Sequence, residues 1–451
     1  MTADTQTKKT KQAGSHAKRT PKPPKLLRGF RDILPEDSIF WQHAKQTAFS
    51  TLLDYGYGEI DTPMLEQTSL FKRTIGEHTD IVSKEMFTFE DKGGDSVTMR
   101  PEFTASFARA YVEHGMFNRP QPVKLFSIGP AFRYDRPQAG RFRQFNQINF
   151  EIFGNDHPVA DAEIIFLSYL ICKQLGLDIS IHVNSLGTPE SREEYVGILK
   201  EYFKSKRRLL CEDCKKRLTK NTLRILDCKE EECNQLAQSA PQLVDHLDEE
   251  SKQHFVAVLE HLDESEVPYE LNPYIVRGLD YYNRTAFEIF AKIGEHTEDQ
   301  SESKPIALGG GGRYDGLVEL LGGRETPGVG VAIGIERIID AIKKLGQKPT
   351  SQKKPQVFLA QLGEEATKHA FTLFETLRTA GIRTRANFAK SGLKEQLEHA
   401  DKLGVLYAVI LGQKELLDET VIIRDMENGI QEVVDLAKIA EELKKRLKKG
   451  I

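Results

Sequence analysis

Apolar and polar residues alternate most cleanly between Phe145 and Phe153, with Ile148, Phe150 and Ile152 on one face and Gln147, Asn149 and Glu151 on the other. A period of two predicts a strand whose apolar face packs on a core. The opposite face presents an amide and a carboxylate. Upstream, Trp41, Ala44, Ala48 and Leu52 recur at helical spacing, and Gly56 is placed to stop that helix. A short strand is expected over Glu59 to Pro63. In MFTFEDKGGDSVTMR, Phe87 and Phe89 alternate, Gly93-Gly94 turns, and Val97 and Met99 alternate back, which predicts a hairpin. The hairpin delivers Arg100, Glu102 and Thr104 just past its second strand. There they bind an ammonium and a carboxylate, or start the next helix as cap and first-turn acid, and the two readings are compatible.

From about residue 189 to 264 the pattern turns helical and highly charged, as an inserted module would. Strand character returns after Tyr269 in LNPYIVRGLDYYNRTAFEIF, where Arg277 precedes Tyr281, Tyr282 and an alternating strand from Thr285 to Phe290. Tyrosine hydroxyls beside an arginine line a slot for a small polar ligand, or form a tyrosine-rich strand edge. In GGGGRYDGL, four glycines before Arg313 and Tyr314 predict close backbone approach to a ligand or another strand. No Gly-Lys-Ser/Thr follows, so this is no phosphate loop. GVGVAIGIERI mimics a dinucleotide fingerprint but is one residue too long and leads into no βαβ unit. It reads instead as a glycine-rich strand entering a helix, with Arg337 near the helix start. Residues 346–355 are polar and end at Pro355, as a linker does. Residues 356–451 alternate strands and helices: Val357 to Ala360, Ala366 to Ala380, Ile382 to Ala386, Leu393 to Leu403 and Leu406 to Leu411, then Val421 to Arg424, Glu432 to Val434 and a final helix. That is a separate α/β domain.

Composition narrows the chemistry. The 451 residues hold 63 Lys+Arg against 67 Asp+Glu, a formal charge of -4, which excludes a globally basic nucleic-acid binder but not a local patch. No apolar run is long enough to span a membrane. Five cysteines in so long a chain make no secreted disulfide framework and favour a reducing cytoplasm. Residues 1–26 form a basic arm with almost no bulky apolar residue, expected to be disordered. The loop from Tyr134 to Arg143 concentrates Arg136, Arg141 and Arg143, and Arg133 closes the strand before it. Guanidinium forks suit phosphate and carboxylate oxygens, so the loop is either an anion clamp or a solvated basic tip. Cys211-x2-Cys214 followed by Cys228-x4-Cys233 is zinc-like in form, although the second spacing is looser than usual. Structural zinc and ordinary reduced thiols are the alternatives.

Four blocks in order, GPAFRYDRPQAGRFRQF, RGLDYYNRT, GGRYDGL and GVGVAIGIERI, resemble the class II histidyl-tRNA synthetases, and the likeness runs from Leu27 onward. The first and last look like the second and third class II signature motifs, the middle two like the histidine-specific blocks. The resemblance implies an α+β fold, with a mostly antiparallel class II catalytic core over 27–345, a helical insertion at about 189–264 and an anticodon-binding domain over 356–451. It implies a cytoplasmic homodimer that activates L-histidine with ATP, taken as its Mg2+ complex and with no organic cofactor, to histidyl-adenylate and then charges the terminal adenosine of tRNA(His). By the same resemblance Arg133, Arg141 and Arg337 hold ATP, and Arg277 bridges the histidine carboxylate and the α-phosphate. Glu102, Thr104 and Gln147 bind the amino-acid head group. Glu151, Tyr281, Tyr282 and Tyr314 form the imidazole pocket, and Arg136 and Gln138 meet the tRNA acceptor end. Zinc is not a general feature of the family, so no metal beyond the Mg2+ is expected. Phe103 stands where many members have Gly, and the basic arm is extra. The alternative is a catalytically silent relative, the synthetase-like regulatory subunit of ATP phosphoribosyltransferase, which would lack some of the arginines and usually the last domain.

Overall fold

A computed structural model of the chain describes residues 23–76, 79–137, 140–292, 305–349 and 354–449. Most of the basic arm, part of the linker, and Gln138 lie outside the described residues. The described residues divide into two compact units, one up to Gln347 and the other from Lys348 on.

The first unit is built on an eight-stranded sheet. Its strand order is Gly58–Glu59, Val123–Phe132, Gln144–Phe153, Gly328–Gly334, Ile306–Arg313, Asn283–Ala291, Ile179–Ser185 and Tyr269–Leu271. Only the outermost pair at each edge is parallel; the pairs between them are antiparallel. The strand Gln144–Phe153 obeys its sequence pattern. Ile148, Phe150 and Ile152 enter a core with the helices Pro35–Asp54 and Pro158–Gln174, while Gln147 and Glu151 point the other way. Burying one such side chain contributes about 1.5–3 kcal/mol, which pins the register and therefore the polar face. The helix Pro35–Asp54 buries Trp41, Ala44, Ala48 and Leu52, and Gly56 takes a positive φ of 80° behind it. The hairpin Phe87–Glu90 and Ser96–Met99 forms as predicted. The strand expected over Glu59 to Pro63 shrinks to Gly58–Glu59: Ile60 still bonds to Phe126, but Thr62 turns its carbonyl and hydroxyl to the Arg100 guanidinium instead.

The glycine-rich blocks are strands because nothing larger fits. A Cβ on Gly309 would fall 2.3 Å from the Ala332 carbonyl oxygen, and one on Gly311 2.0 Å from that of Gly330. Arg313 at the end of this strand is fully buried and forks onto Asp161, its Nε 3.1 and 3.2 Å from the two carboxylate oxygens, with His254 Nε2 3.4 Å from Asp161. Burial alone would push the Asp161 carboxyl up, but Arg313 more than reverses this and holds it at about 2. The folded group binds its proton later than the unfolded one. Its stabilisation is therefore complete above the unfolded value near 4 and is lost as pH falls through about 2. Asp161→Ala takes from a fully buried guanidinium its closest partner, leaving it Asp315 and the Asn155 and His157 carbonyls, and should cost about 3–5 kcal/mol, read as a lower urea midpoint.

The insertion contains the helices Pro189–Ser205, Glu212–Lys220, Glu231–Gln238 and Glu249–Glu264. The second unit carries a five-stranded sheet in the order Thr384–Ala386, Val357–Leu362, Tyr407–Gly412, Thr420–Asp425 and Gln431–Asp435. Its strand Val357–Leu362 is apolar on both sides. Val357 and Leu359 pack with the helix Glu364–Thr379, and Phe358 and Ala360 with Ala400 of the helix Leu393–Leu403. A doubly covered parallel centre explains why the sequence reads there as a continuous apolar run. Among the described residues no helix is long and apolar enough to cross a membrane.

Candidate active site

A cavity of about 410 Å³ opens on the polar face of the first sheet, a volume suited to a small-molecule ligand. Five arginines line it: Arg133, Arg141, Arg224, Arg277 and Arg337. They arrive from the end of one strand, the loop after it, the insertion, the segment before Tyr281 and the start of the helix Ile335–Lys344. Arg133 is steadied by Nε donating to the Pro101 carbonyl at 2.9 Å and by stacking on Phe145, Arg337 by Nη1 donating to the Ala307 carbonyl at 2.6 Å. Burial lowers the affinity of both guanidinium groups for their protons, and Arg141 and Arg133 add repulsion at Arg337. Like charges held together out of water favour an anion between them.

Arg277 donates from Nη1 to Glu288 Oε1 at 3.1 Å and lies 5.1 Å over the Tyr282 ring, while its buried Nε has no hydrogen-bond partner among the described residues. Room for it depends on Gly310, where a Cβ would sit 2.6 Å from Arg277 Nη1. Glu102 starts the next helix and also faces the cavity. Its two oxygens accept from the Thr104 and Ala105 backbone N–H groups at 2.6 and 3.0 Å, at the start of the helix Thr104–Glu113, and it lines the cavity. Phe103, in place of the usual Gly, leaves this intact: its φ is -105°, and its ring packs under the Arg100 guanidinium and on Phe107. Arg100 is thereby a structural residue, bonded to Thr62 and the Pro130 carbonyl and absent from the cavity lining. Gln147 lines the floor with a buried Oε1 that has no partner among the described residues.

The imidazole-pocket residues divide. Tyr281 and Tyr282 line the cavity, their ring centroids 4.6 Å apart. Glu151 and Tyr314 do not; they are bonded to each other behind it, and Thr104 donates its hydroxyl to Glu151 Oε1 at 2.7 Å. Glu151 and Tyr314, expected to face the imidazole, stand in this structure behind Thr104 and the two tyrosines. The cause is the register that sets Glu151 opposite Gly330, where a Cβ would come 1.4 Å from Glu151 Oε2. The carboxyl fills the space the glycine leaves. Burial lifts Glu151 to about 8, against the hydrogen bonds from Tyr314 and Thr104. Arg136 is exposed and lies outside the lining. Sequence reasoning missed Glu288 and Arg224. Glu288 carried a signal, a carboxylate between Ala286-Phe287 and Ile289-Phe290; Arg224 carried none.

Residues 29–338 match the family model of histidyl-tRNA synthetase, and residues 356–446 that of an anticodon binding domain. The chain belongs to the histidyl-tRNA synthetase family. The histidine–tRNA ligase of Caldicellulosiruptor saccharolyticus is 48% identical over 421 residues, covering 93% of this chain and 99% of that one. The solved apo histidyl-tRNA synthetase of S. aureus is similar at 36% identity with a TM-score of 0.77, covering 93% and 99%. A Bacillus halodurans structure described as an ATP phosphoribosyltransferase regulatory subunit/histidyl-tRNA synthetase shares the fold with a TM-score of 0.60, at 19% identity over 87% of this chain and 99% of that one. The class II architecture expected from the signature blocks is the one found in the first unit, with the sheet of the second unit beside it in sequence.

Proposed function

We propose that this cavity activates L-histidine with ATP and that the chain then charges tRNA(His), as a histidine–tRNA ligase. The observation that carries the reading is that Arg133, Arg277 and Arg337, far apart in sequence, line one cavity together with Glu102, Thr104 and Gln147. Activation forms a bond between a histidine carboxylate oxygen and the α-phosphorus, and pyrophosphate leaves. Two anions must meet, so positive charge and positioning supply most of the rate. Arg133 holds the α-phosphate, Arg337 and Arg141 the outer phosphates, and Arg277 spans carboxylate and α-phosphate with the Nε that is now unused. Glu102 and Gln147 take the ammonium and carboxylate of histidine. Tyr281 and Tyr282 enclose the imidazole, and Glu151 and Tyr314 set the polarity of that wall from behind. In the second step the terminal ribose hydroxyl of the tRNA attacks the histidyl carbonyl and AMP leaves, with Arg136 near the acceptor end. ATP enters as its magnesium complex, and the carboxylates of Glu288 and Glu336 on the cavity wall would be oxygen donors of the kind such an ion takes. The second unit reads the anticodon, and the chain works as a cytoplasmic homodimer.

The silent regulatory relative is disfavoured, because it has no use for three converging arginines or for a domain of the anticodon-binding kind. Amino-acid-dependent ATP–pyrophosphate exchange tests the proposal: exchange with histidine alone is expected. A folded chain giving no exchange with any amino acid would return the reading to the regulatory subunit.

A further inference from the structure

The insertion holds a cluster that histidine activation does not use. Cys211, Cys214, Cys228 and Cys233 come from the start of one helix, its first turn, the segment after a 3-10 turn, and a second helix. Their four sulfurs all lie within 4.8 Å of one another, with Cys211 and Cys228 3.9 Å apart, and none is in a disulfide. A zinc ion with four sulfurs at about 2.3 Å sets them at the corners of a tetrahedron of edge about 3.8 Å. The sulfurs are therefore close to ligand positions already, and too close together for a cluster of several irons. Backbone N–H groups point at two of them: Cys214 donates to Cys211 Sγ at 3.4 Å and Cys211 to Cys233 Sγ at 3.2 Å. Such donors favour thiolates, the form that ligates metal. Cys214, Cys228 and Cys233 are buried in one core cluster with Leu210, Leu218, Ile225 and Ala237, apolar surroundings that suit a soft, thiolate-bound ion over a harder one.

We propose that Cys211, Cys214, Cys228 and Cys233 bind one zinc ion that staples the insertion together and seats its 3-10 turn against the active-site wall. The staple has work to do. The helices Glu212–Lys220 and Glu231–Gln238 and the turn Thr222–Ile225 are each too short to hold shape alone. Metal binding adds folding free energy to the packing of elements this short. The turn between the second and third cysteines carries Arg224, which lines the cavity, places Nη2 3.5 Å from Asp80 Oδ2, and lies so near Gly278 that a Cβ there would meet its Nη1 at 3.1 Å. Asn221, one turn earlier, donates to Asp280 at 3.5 Å. Both contacts bear on the segment that carries Arg277, Tyr281 and Tyr282. The looser C-x4-C spacing is explained by this geometry: Cys228 follows the 3-10 turn and Cys233 lies inside the next helix, so four intervening residues are needed to bring the sulfurs round.

The test is metal analysis of the full chain, purified without added chelator. About one zinc per chain is expected, and after exchange for cobalt the intense thiolate charge-transfer and visible bands of a tetrahedral sulfur site. Cys228→Ser should hold zinc at least about tenfold more weakly against a competing chelator. The stripped wild-type chain should become protease-sensitive between Lys206 and Ala240, with the rest intact. The cobalt spectrum needs no variant, so misfolding of Cys228→Ser does not blunt the test. The proposal is overturned if the reduced chain, offered zinc or cobalt and desalted, retains neither. It is overturned equally by a weak octahedral cobalt spectrum, by iron as the resident metal, or by a folded Cys228→Ser that holds zinc as tightly as wild type.

Discussion

Arg277→Ala abolishes histidine-dependent pyrophosphate exchange, with a loss of about 10³-fold or more, while the circular dichroism spectrum and urea midpoint stay near wild type. The magnitude follows from its place. Arg277 is the guanidinium positioned to span the two reacting anions, and removing one preorganised charge of this kind costs about 10²–10⁵ in rate across well-studied enzymes. The fold survives because the contacts Arg277 loses, to Glu288, the Phe287 carbonyl and the Tyr282 ring, lie at the cavity wall, and Glu288 is one-third exposed. Arg277→Lys keeps the charge but not the fork and should recover only part of the rate. Exchange within about threefold of wild type in Arg277→Ala would sink the assignment, since that is only about 0.7 kcal/mol, far less than a charge spanning two reacting anions contributes.

Glu151→Gln raises the KM for histidine by about 10–100-fold and leaves the KM for ATP unchanged. Glu151 is buried between Thr104 and Tyr314, and an amide in its place mispairs those hydrogen bonds, which costs about 1–3 kcal/mol for a buried polar group. The shape is kept, so Thr104 and Tyr314 remain in place but with altered polarity. A merely structural role would move both KM values or neither. The pH dependence adds an independent check. The folded carboxyl titrates at about 8, above its unfolded value near 4.3, so the folded state binds the extra proton between these limits. Its contribution to stability is full below about pH 4 and is lost as pH rises through about 8. The thermal midpoint of the wild type should therefore fall more steeply between about pH 5 and 8 than that of Glu151→Gln. Equal slopes would mean that the carboxyl is ionised in the folded chain at neutral pH.

Much of this could be read along the chain because it is local or periodic. The alternation from Phe145 to Phe153 gave the strand and chose its polar face, since a slip of one residue would bury Gln147 and Glu151 in place of Ile148 and Phe150. The spacing of Trp41, Ala44, Ala48 and Leu52 gave the first helix, and the glycine runs announced that backbones come close there. The four signature blocks named the family before any coordinates. What the sequence could not say was which side chains meet. Glu151 looked like a wall residue, yet the antiparallel partner happens to be Gly330, and the carboxyl drops into the gap behind Thr104. Arg100 looked like a ligand and became a strut, because Thr62 and Pro130 reach it first. Arg224 and Glu288 joined the cavity from an insertion and a strand interior. The four cysteines, ambiguous as a spacing, were gathered within ligand distance by three short elements. Periodicity follows from forces between neighbours in sequence, whereas these meetings depend on sheet register and on contacts between residues up to about a hundred positions apart or more, which only the folded chain decides.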